Sequence, residues 1–572
     1  MKPLTSTKNQ RVAGQQTNKL SWSSPLLPLS LSPSLPLLPL LPLLPLLSQP
    51  ALAARLPSSV GEAGIDALKL QAAPYNLKGR KIAIGQVETG RPAKFGLDKA
   101  ISHRQVFSIE RAFFRDTPAK PNAEVEGHAS MVASVMVGKD KALPGVAPGA
   151  RLYSSAAGSS KKSGQPEECI SAQHIAEQNG GDVRAINFSF GEPLDQTTKL
   201  DPVLDGSSLL TLCVDWSSRV HNALYIIAGN QGKGGIPVPT DNFNGINVAY
   251  TTRRVGVFAK VDYPNLSDTP IGVARSLIRR EINFGPRRSI GLLAPGANIE
   301  LYELDGKLTR VNGSSFAAPH VTATVALLQE WGDRLLSKRS KIADDLLPKP
   351  QAKWTLDARR HEVMKAVMLN SADKIKDNGD RLSLGMSRTI LTKHNQNWLN
   401  SDAYTSRNIP LDYQMGTGQL NAFRAYQQFN GGQWSPEAPV PAIGWDYRAI
   451  KTLAYQDYVL DRPLLKDSFI SVTLAWDRVV DLQDRNKNDR FDIGENFVDR
   501  GLNDLDIFLM RAEDSNSANS VWSSESNVDS VEHIFHQIPA TGRYKIRVQY
   551  KRQVNQDPQN YALAWWTVSS NK

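Results

Sequence analysis

A glycine, two serines and a proline lead straight into a long apolar run at Gly313-Ser314-Ser315-Phe316-Ala317-Ala318-Pro319-His320-Val321, continued by Val325-Ala326-Leu327-Leu328. A helix that is apolar all round has to be buried, so this segment predicts a helix inside the protein with a serine at its mouth. Gly313 permits a sharp entry turn, Ser315 stands at the entrance, and Pro319 is expected in the first turn, where a missing N–H leaves nothing unpaired. At that end the macrodipole and the free N–H groups favour negative charge, such as a developing oxyanion. A serine that merely caps a buried helix is also common. A nucleophilic serine needs more: a base, a group that orients the base, and donors for the oxyanion.

The rest of the chain supplies residues of each type. Glu126-Gly127-His128-Ala129-Ser130-Met131-Val132-Ala133-Ser134-Val135 reads as a buried helix that opens directly after a glycine, and Gly145-Val146-Ala147-Pro148-Gly149-Ala150 follows as a turn. The continuous apolar run Ala223-Leu224-Tyr225-Ile226-Ile227-Ala228, ended by Gly229-Asn230-Gln231-Gly232, reads as a parallel strand buried on both faces. Asn230 then stands at the strand end facing the crevice where open α/β sheets bind ligands. Lys81-Ile82-Ala83-Ile84-Gly85-Gln86-Val87-Glu88-Thr89-Gly90 reads as a first strand ending in an acid.

Together these segments resemble the subtilisin-like serine proteases, whose nucleophile motif is Gly-Thr-Ser-x-Ala-x-Pro-His-Val. The order along the chain, Glu88, His128, Asn230, Ser315, is the family's order of acid, histidine, asparagine and serine. The resemblance implies that Ser315 is the nucleophile, His128 its general base, Glu88 the orienting acid, and the Asn230 side chain an oxyanion donor beside the Ser315 N–H. It implies further that Ser189, Phe190 and Gly191, in Ala185-Ile186-Asn187-Phe188-Ser189-Phe190-Gly191, line the substrate groove, where an extended peptide pairs with a strand edge.

Three positions depart from the pattern. Ser314 replaces a threonine, Ala129 replaces a glycine, and Glu88 stands where the family carries aspartate. Glutamate keeps the charge and adds one methylene, about 1.5 Å of reach; serine hydrolases on other folds accept either acid. Asp98 and Glu126 are the alternative carboxylates for His128, and a silent site is the alternative to a catalytic one. Sedolisins, which share the fold, use a glutamate as base, but His128 and Asn230 fit the subtilisin arrangement. Further echoes at Leu292-Leu293-Ala294-Pro295-Gly296, in Val363 to Ala372 and in Gly416 to Ala422 extend the resemblance over about residues 78 to 430.

At 572 residues the chain exceeds one core. The expected fold is α/β, a subtilisin-like doubly wound, mostly parallel sheet over residues 55–432, plus an all-β, jelly-roll-like sandwich over 433–572, where short alternating strands are separated by Asp/Asn/Ser/Gly turns. Residues 1–54 carry Lys2, Lys8, Arg11 and Lys19 with no acid, then a Leu/Pro tract whose prolines preclude a stable membrane span. With Ala51-Leu52-Ala53 after it, this reads as an atypical export signal or a low-complexity tail, and the expected location is secreted or periplasmic. Only about 25–30 residues then precede the first strand, too few for a folded prodomain.

The formal net charge of +11 is scattered, which excludes a nucleic-acid interface and leaves protein or peptide substrates as the expected partners. Cys169 and Cys213 allow at most one disulfide and are expected to stay unpaired. Asp484, Asn486, Asn488, Asp492 and Glu495 place oxygen side chains at positions 1, 3, 5, 9 and 12 of a calcium-type loop, so a structural Ca²⁺ is expected there, although the glycine of position 6 is Asp489. His533 and His536 fall on opposite faces of a strand and form no pair. The expected function is a serine endopeptidase; a peptide-binding scaffold and a transamidase are the alternatives.

Overall fold

A computed structural model of the chain describes residues 58–99, 106–158, 164–193, 203–229, 237–263, 287–337 and 352–570. The proposed export segment lies outside the described residues. Residues 56–572 form one compact unit.

Nine strands build the first sheet: β1 Ala83–Glu88, β2 Ile109–Phe114, β3 Thr117–Pro118, β4 Arg151–Ala156, β5 Val183–Phe188, β6 Leu224–Ala228, β7 Ile246–Arg254, β8 Val257–Tyr263 and β9 Ile290–Pro295. Their order is β3-β2-β4-β1-β5-β6-β7-β8, with β9 on β7. From β2 to β7 and β9 the neighbours run parallel, while β3 and β8 are antiparallel additions. Every residue of β1, β5 and β6 is buried, as expected for parallel strands covered on both faces. Along β6 the alternation is complete. Leu224, Ile226 and Ala228 face the core shared with the Gly127–Val137 and Ser314–Leu336 helices, whereas Tyr225 and Ile227 face the Gln165–Ala176 and Leu209–His221 helices. This is the doubly wound arrangement.

The last two helices lie side by side, which brings Cys169 and Cys213 to a Cα separation of 5.9 Å in a disulfide. The expectation of unpaired cysteines is therefore corrected. A spacing of 44 residues gave no sign of it, because only the packing of the two helices creates the proximity.

After a small hairpin of β10 (Ile299–Tyr302) and β11 (Leu308–Val311), the C-terminal region contributes β12 Ile443–Ile450, β13 Tyr455–Val459, β14 Phe469–Ala475, β15 Val480–Gln483, β16 Asn496–Asp499, β17 Asp504–Arg511, β18 Trp522–Ser524, β19 Val531–Gln537, β20 Tyr544–Arg552 and β21 Gln559–Trp566. Two antiparallel four-stranded sheets, β12-β21-β14-β19 and β13-β20-β17-β18, close on a common core that includes Tyr458, Leu474, Ile507, Leu563 and Trp565. On its other face the first of these sheets presents Ala475, Ala562 and Ala564 to the core of the α/β part. Small side chains allow close approach of the His361–Asn370 helix, and Asn370 Oδ1 accepts hydrogen bonds from Ser471 Oγ (2.9 Å) and Thr473 Oγ1 (3.1 Å).

A buried ion pair locks the same junction. Arg478 and Asp215 are 1% and 0% exposed. Arg478 Nε donates to Asp215 Oδ2 (2.9 Å), its Nη2 to the Gly206 carbonyl (2.9 Å), and its backbone N–H to Asn244 Oδ1 (2.8 Å). Removing one partner of such a pair strands a buried charge. Arg478→Ala is expected to lower unfolding stability by about 3–5 kcal/mol in urea denaturation; a loss under about 1 kcal/mol would show that the pair does not hold the two parts together. Replacing both cysteines by serine is expected to cost about 2–4 kcal/mol in the same assay.

Candidate active site

Adjacent strand ends gather the site. Glu88 is the last residue of β1, and the register of β1 with β5 and of β5 with β6 places Val87, Phe188 and Ile227 side by side. The chain leaving each of these strands therefore enters one crevice. His128 is the second residue of the Gly127–Val137 helix. Its Nδ1 lies 3.5 Å from Glu88 Oε2, with the carboxylate side chain 1% exposed and the imidazole 32% exposed. The imidazole edge also meets the Phe316 ring, at 5.4 Å between centroids. Phe316 adjoins Ser315, so the acid, the imidazole and the helix mouth are contiguous.

The alternative carboxylates are engaged elsewhere. Asp98 bridges Arg91 at 2.6 and 2.7 Å. Glu126 Oε2 accepts from Thr89 Oγ1 (3.1 Å) and the Gly90 N–H (3.0 Å), tying down the turn after β1. Burial raises the Glu88 carboxyl above its ordinary value against the pull of His128. Burial alone would lower the His128 pKa, but the charge and hydrogen bond of Glu88, with help from Glu126, outweigh it and raise the imidazole above its usual value.

The Ser314–Leu336 helix is buried from Ser314 through Gly332. Gly313, at φ 147°, makes the entry turn. Ser314 Oγ donates to the Gly229 carbonyl at 2.7 Å and so ties the helix mouth to the end of β6. Pro319 stands in the second turn, not in the first as expected, so the carbonyl four residues back, that of Ser315, loses its intrahelical partner. Ser189 Oγ takes that carbonyl at 2.8 Å, and Asn187 Nδ2 in turn donates to Ser189 Oγ at 2.9 Å. Sequence reasoning missed this role for Ser189; the signal was Pro319 counted four residues back.

Ser315 Oγ donates to the Ser189 carbonyl at 3.0 Å, and no hydrogen bond joins it to His128. Catalytic hydrogen bonds commonly tighten only when substrate is bound. Ser189 and Phe190 are buried, and Phe190 stacks on Phe188 at 5.0 Å. β5 itself pairs on both sides, and Ser189-Phe190-Gly191, beyond the last pair, leave the sheet before Glu192 pairs with Val238. Asn230 lies outside the described residues.

Residues 79–387 match the Subtilase family, more than half of the chain. The chain belongs to that family. Subtilisin DY of Bacillus licheniformis is 28% identical over 266 residues, 46% of this subtilase and 81% of the relative. Subtilisin E of Bacillus subtilis is 28% identical over 45% of this chain, which spans 61% of that relative. Among solved structures, the prenylagaramide maturation protease PagA aligns with 62% of this chain and 95% of its own at 18% identity and a TM-score of 0.37. The matched stretch contains Glu88, His128, Asn230 and Ser315.

The Asp/Asn loop of this subtilase connects β15 and β16. Asn486 Nδ2 and Asn488 Nδ2 both donate to Asp492 Oδ2, at 2.7 and 2.8 Å. Asp484 accepts the Lys487 and Asp489 N–H groups, and Glu495 those of Arg485 and Asp492. These hydrogen bonds order the loop through the side chains of Asp484, Asn486, Asn488, Asp492 and Glu495. What the loop does is dock: Phe491 is buried beside Cys169 and Cys213, and its backbone exchanges hydrogen bonds with the Gln173 side chain at 2.7 and 2.9 Å. Among the described residues, His361, Glu362 and Asp477 do bring metal-type donors within 4.8 Å. Both imidazole nitrogens are already engaged, Nε2 by Asp477 (3.0 Å) and Nδ1 by Asn222 (3.1 Å), so this group serves the junction between helix and sandwich. His533 meets Thr473 while His536 stacks on Trp522, on opposite sides of β19.

The Glu88 charge favours protonated His128. Glu88→Gln removes it, so the imidazole is expected to lose its proton at lower pH than in the parent protein. An NMR titration of His128 checks this; an unchanged midpoint would mean that Glu88 does not act on the imidazole.

Proposed function

We propose that this subtilase is a serine endopeptidase. The observation that carries the reading is the convergence of Glu88, His128 and the Ser315-bearing helix mouth from three separate elements inside the matched stretch. In this mechanism a peptide carbonyl enters above Ser315. The hydroxyl turns from the Ser189 carbonyl toward His128, gives its proton to the imidazole, and attacks the carbonyl carbon. Buried Glu88 stabilises the imidazolium. The Ser315 N–H, at the positive end of a buried helix, and the Asn230 amide stabilise the oxyanion. The imidazolium then protonates the leaving amine, the acyl group stays on Ser315, and water, deprotonated by His128, releases the acid. No metal is needed for these steps. A secreted or periplasmic location is proposed on the strength of the N-terminal tract and Ala51-Leu52-Ala53; among the described residues no helix is long and apolar enough to cross a membrane.

A second reading, a silent peptide-binding scaffold, is favoured by one observation, the Ser315 hydroxyl bonded to Ser189 and not to His128. A serine-reactive fluorophosphonate separates the two. The parent protein is expected to be labelled and to cleave a mixed peptide library, and Ser315→Ala is expected to lose labelling and roughly 10⁴–10⁶-fold in turnover. A parent protein that is neither labelled nor active leaves the scaffold. Added amines that divert products from acids to amides would instead show transfer.

A further inference from the structure

Two buried carboxyl groups face each other beside the groove segment. Glu192 follows Gly191 directly and is 1% exposed; Glu168, in the first turn of the Gln165–Ala176 helix, is 2% exposed. Both carboxyls pack against Gly164, where an added side-chain carbon would lie 3.3 Å from Glu192 Oε1 and 3.4 Å from Glu168 Oε1. Three of the four oxygens, Glu168 Oε2 and both of Glu192, are buried with no donor from the rest of the protein, only the facing carboxyl. Buried carboxyl oxygens are ordinarily hydrogen-bonded, and a cationic side chain between these two would supply the donors they lack. Burial, followed by the contact with Glu192, pushes the Glu168 carboxyl well above its usual range, as expected of two carboxyls that cannot both ionise unaided.

The position of the pair indicates the ligand. The Ser189 carbonyl is 3.0 Å from Ser315 Oγ, and Glu192 lies three residues further on, a span of at most about 11 Å. Backbone hydrogen bonds to Val238, at 2.9 and 3.2 Å, hold Glu192 in place. The pair thus adjoins the segment Ser189-Phe190-Gly191 that is expected to line the groove. A Ca²⁺ ion takes six to eight oxygens, and these two side chains offer four. A guanidinium brings a planar fork of N–H donors matched to carboxylates, and an ammonium brings three.

We propose that Glu168 and Glu192 form a subsite for a lysine or arginine side chain of the bound peptide. This rests on the preceding reading only in placing a peptide in the groove. The test uses the full chain carrying Ser315→Ala, so that binding is read without turnover. Fluorescent peptides that differ at one position, arginine against its neutral isostere citrulline, are scanned along the sequence. At one position arginine is expected to bind at least about tenfold more tightly, and Glu192→Gln and Glu168→Gln are each expected to bring that ratio towards one. Melting temperatures establish that the variants are folded, and either variant alone decides if the other is not. Equal binding of the two peptides, or a ratio that survives both substitutions, overturns the proposal. So does tight Tb³⁺ binding that Glu192→Gln abolishes with no peptide preference, which would make the pair a metal site. If arginine is preferred while the parent protein cleaves nothing, the peptidase reading falls and the subsite stands.

Discussion

Burial of the Ser314–Leu336 helix is the constraint from which the site follows. A helix enclosed from Ser314 to Gly332 shields the groups at its mouth from water, so protein partners largely take its place. The partners are the ends of neighbouring strands: Ser314 Oγ on Gly229 after β6, and Ser189 Oγ, after β5, on the carbonyl that Pro319 leaves open. The contacts that satisfy the helix therefore also set Ser315 in the crevice at the ends of β1, β5 and β6. The placement of Ser315 and the satisfaction of the backbone are here one set of hydrogen bonds.

The same economy governs the acid. Glu88 is buried at a strand end with Oε1 unpartnered and Oε2 facing His128, so its charge depends on the imidazole, and the imidazole is held protonated to higher pH by it. Glutamate in place of aspartate is accommodated at 3.5 Å, while Glu126, the nearest competitor, is spent on the turn that follows β1. The helix opposite contributes Glu168 to a second buried acidic pair with Glu192, in which burial favours the neutral form of Glu168.

The C-terminal sandwich is part of the same body. Arg478 and Asp215, His361 and Asp477, and Phe491 against the disulfide-linked helices are three separate contacts between the sandwich and the α/β part. Two of them are buried charged pairs, for which a misplaced partner would be costly, so they fix position as well as adding stability. The Phe491 contact ends on the helix that carries Glu168, which links the sandwich mechanically to the side of the groove.

The sequence by itself determined the class of fold, the strand ends at Glu88 and Ala228, and the two buried helices that carry His128 and Ser315. These are local signals: continuous apolar runs, glycine punctuation and short motifs survive without knowledge of neighbours. Only the tertiary structure decided which carboxylate meets His128, that Cys169 and Cys213 pair, that β5 has no free edge, that Ser189 replaces the bond lost at Pro319, and that the acidic loop closes on itself around a buried Phe491. Each of those depends on groups far apart in the chain, and whether a carboxylate is a triad member, a turn cap or an unpaired acid is set by what burial places within about 3.5 Å of it.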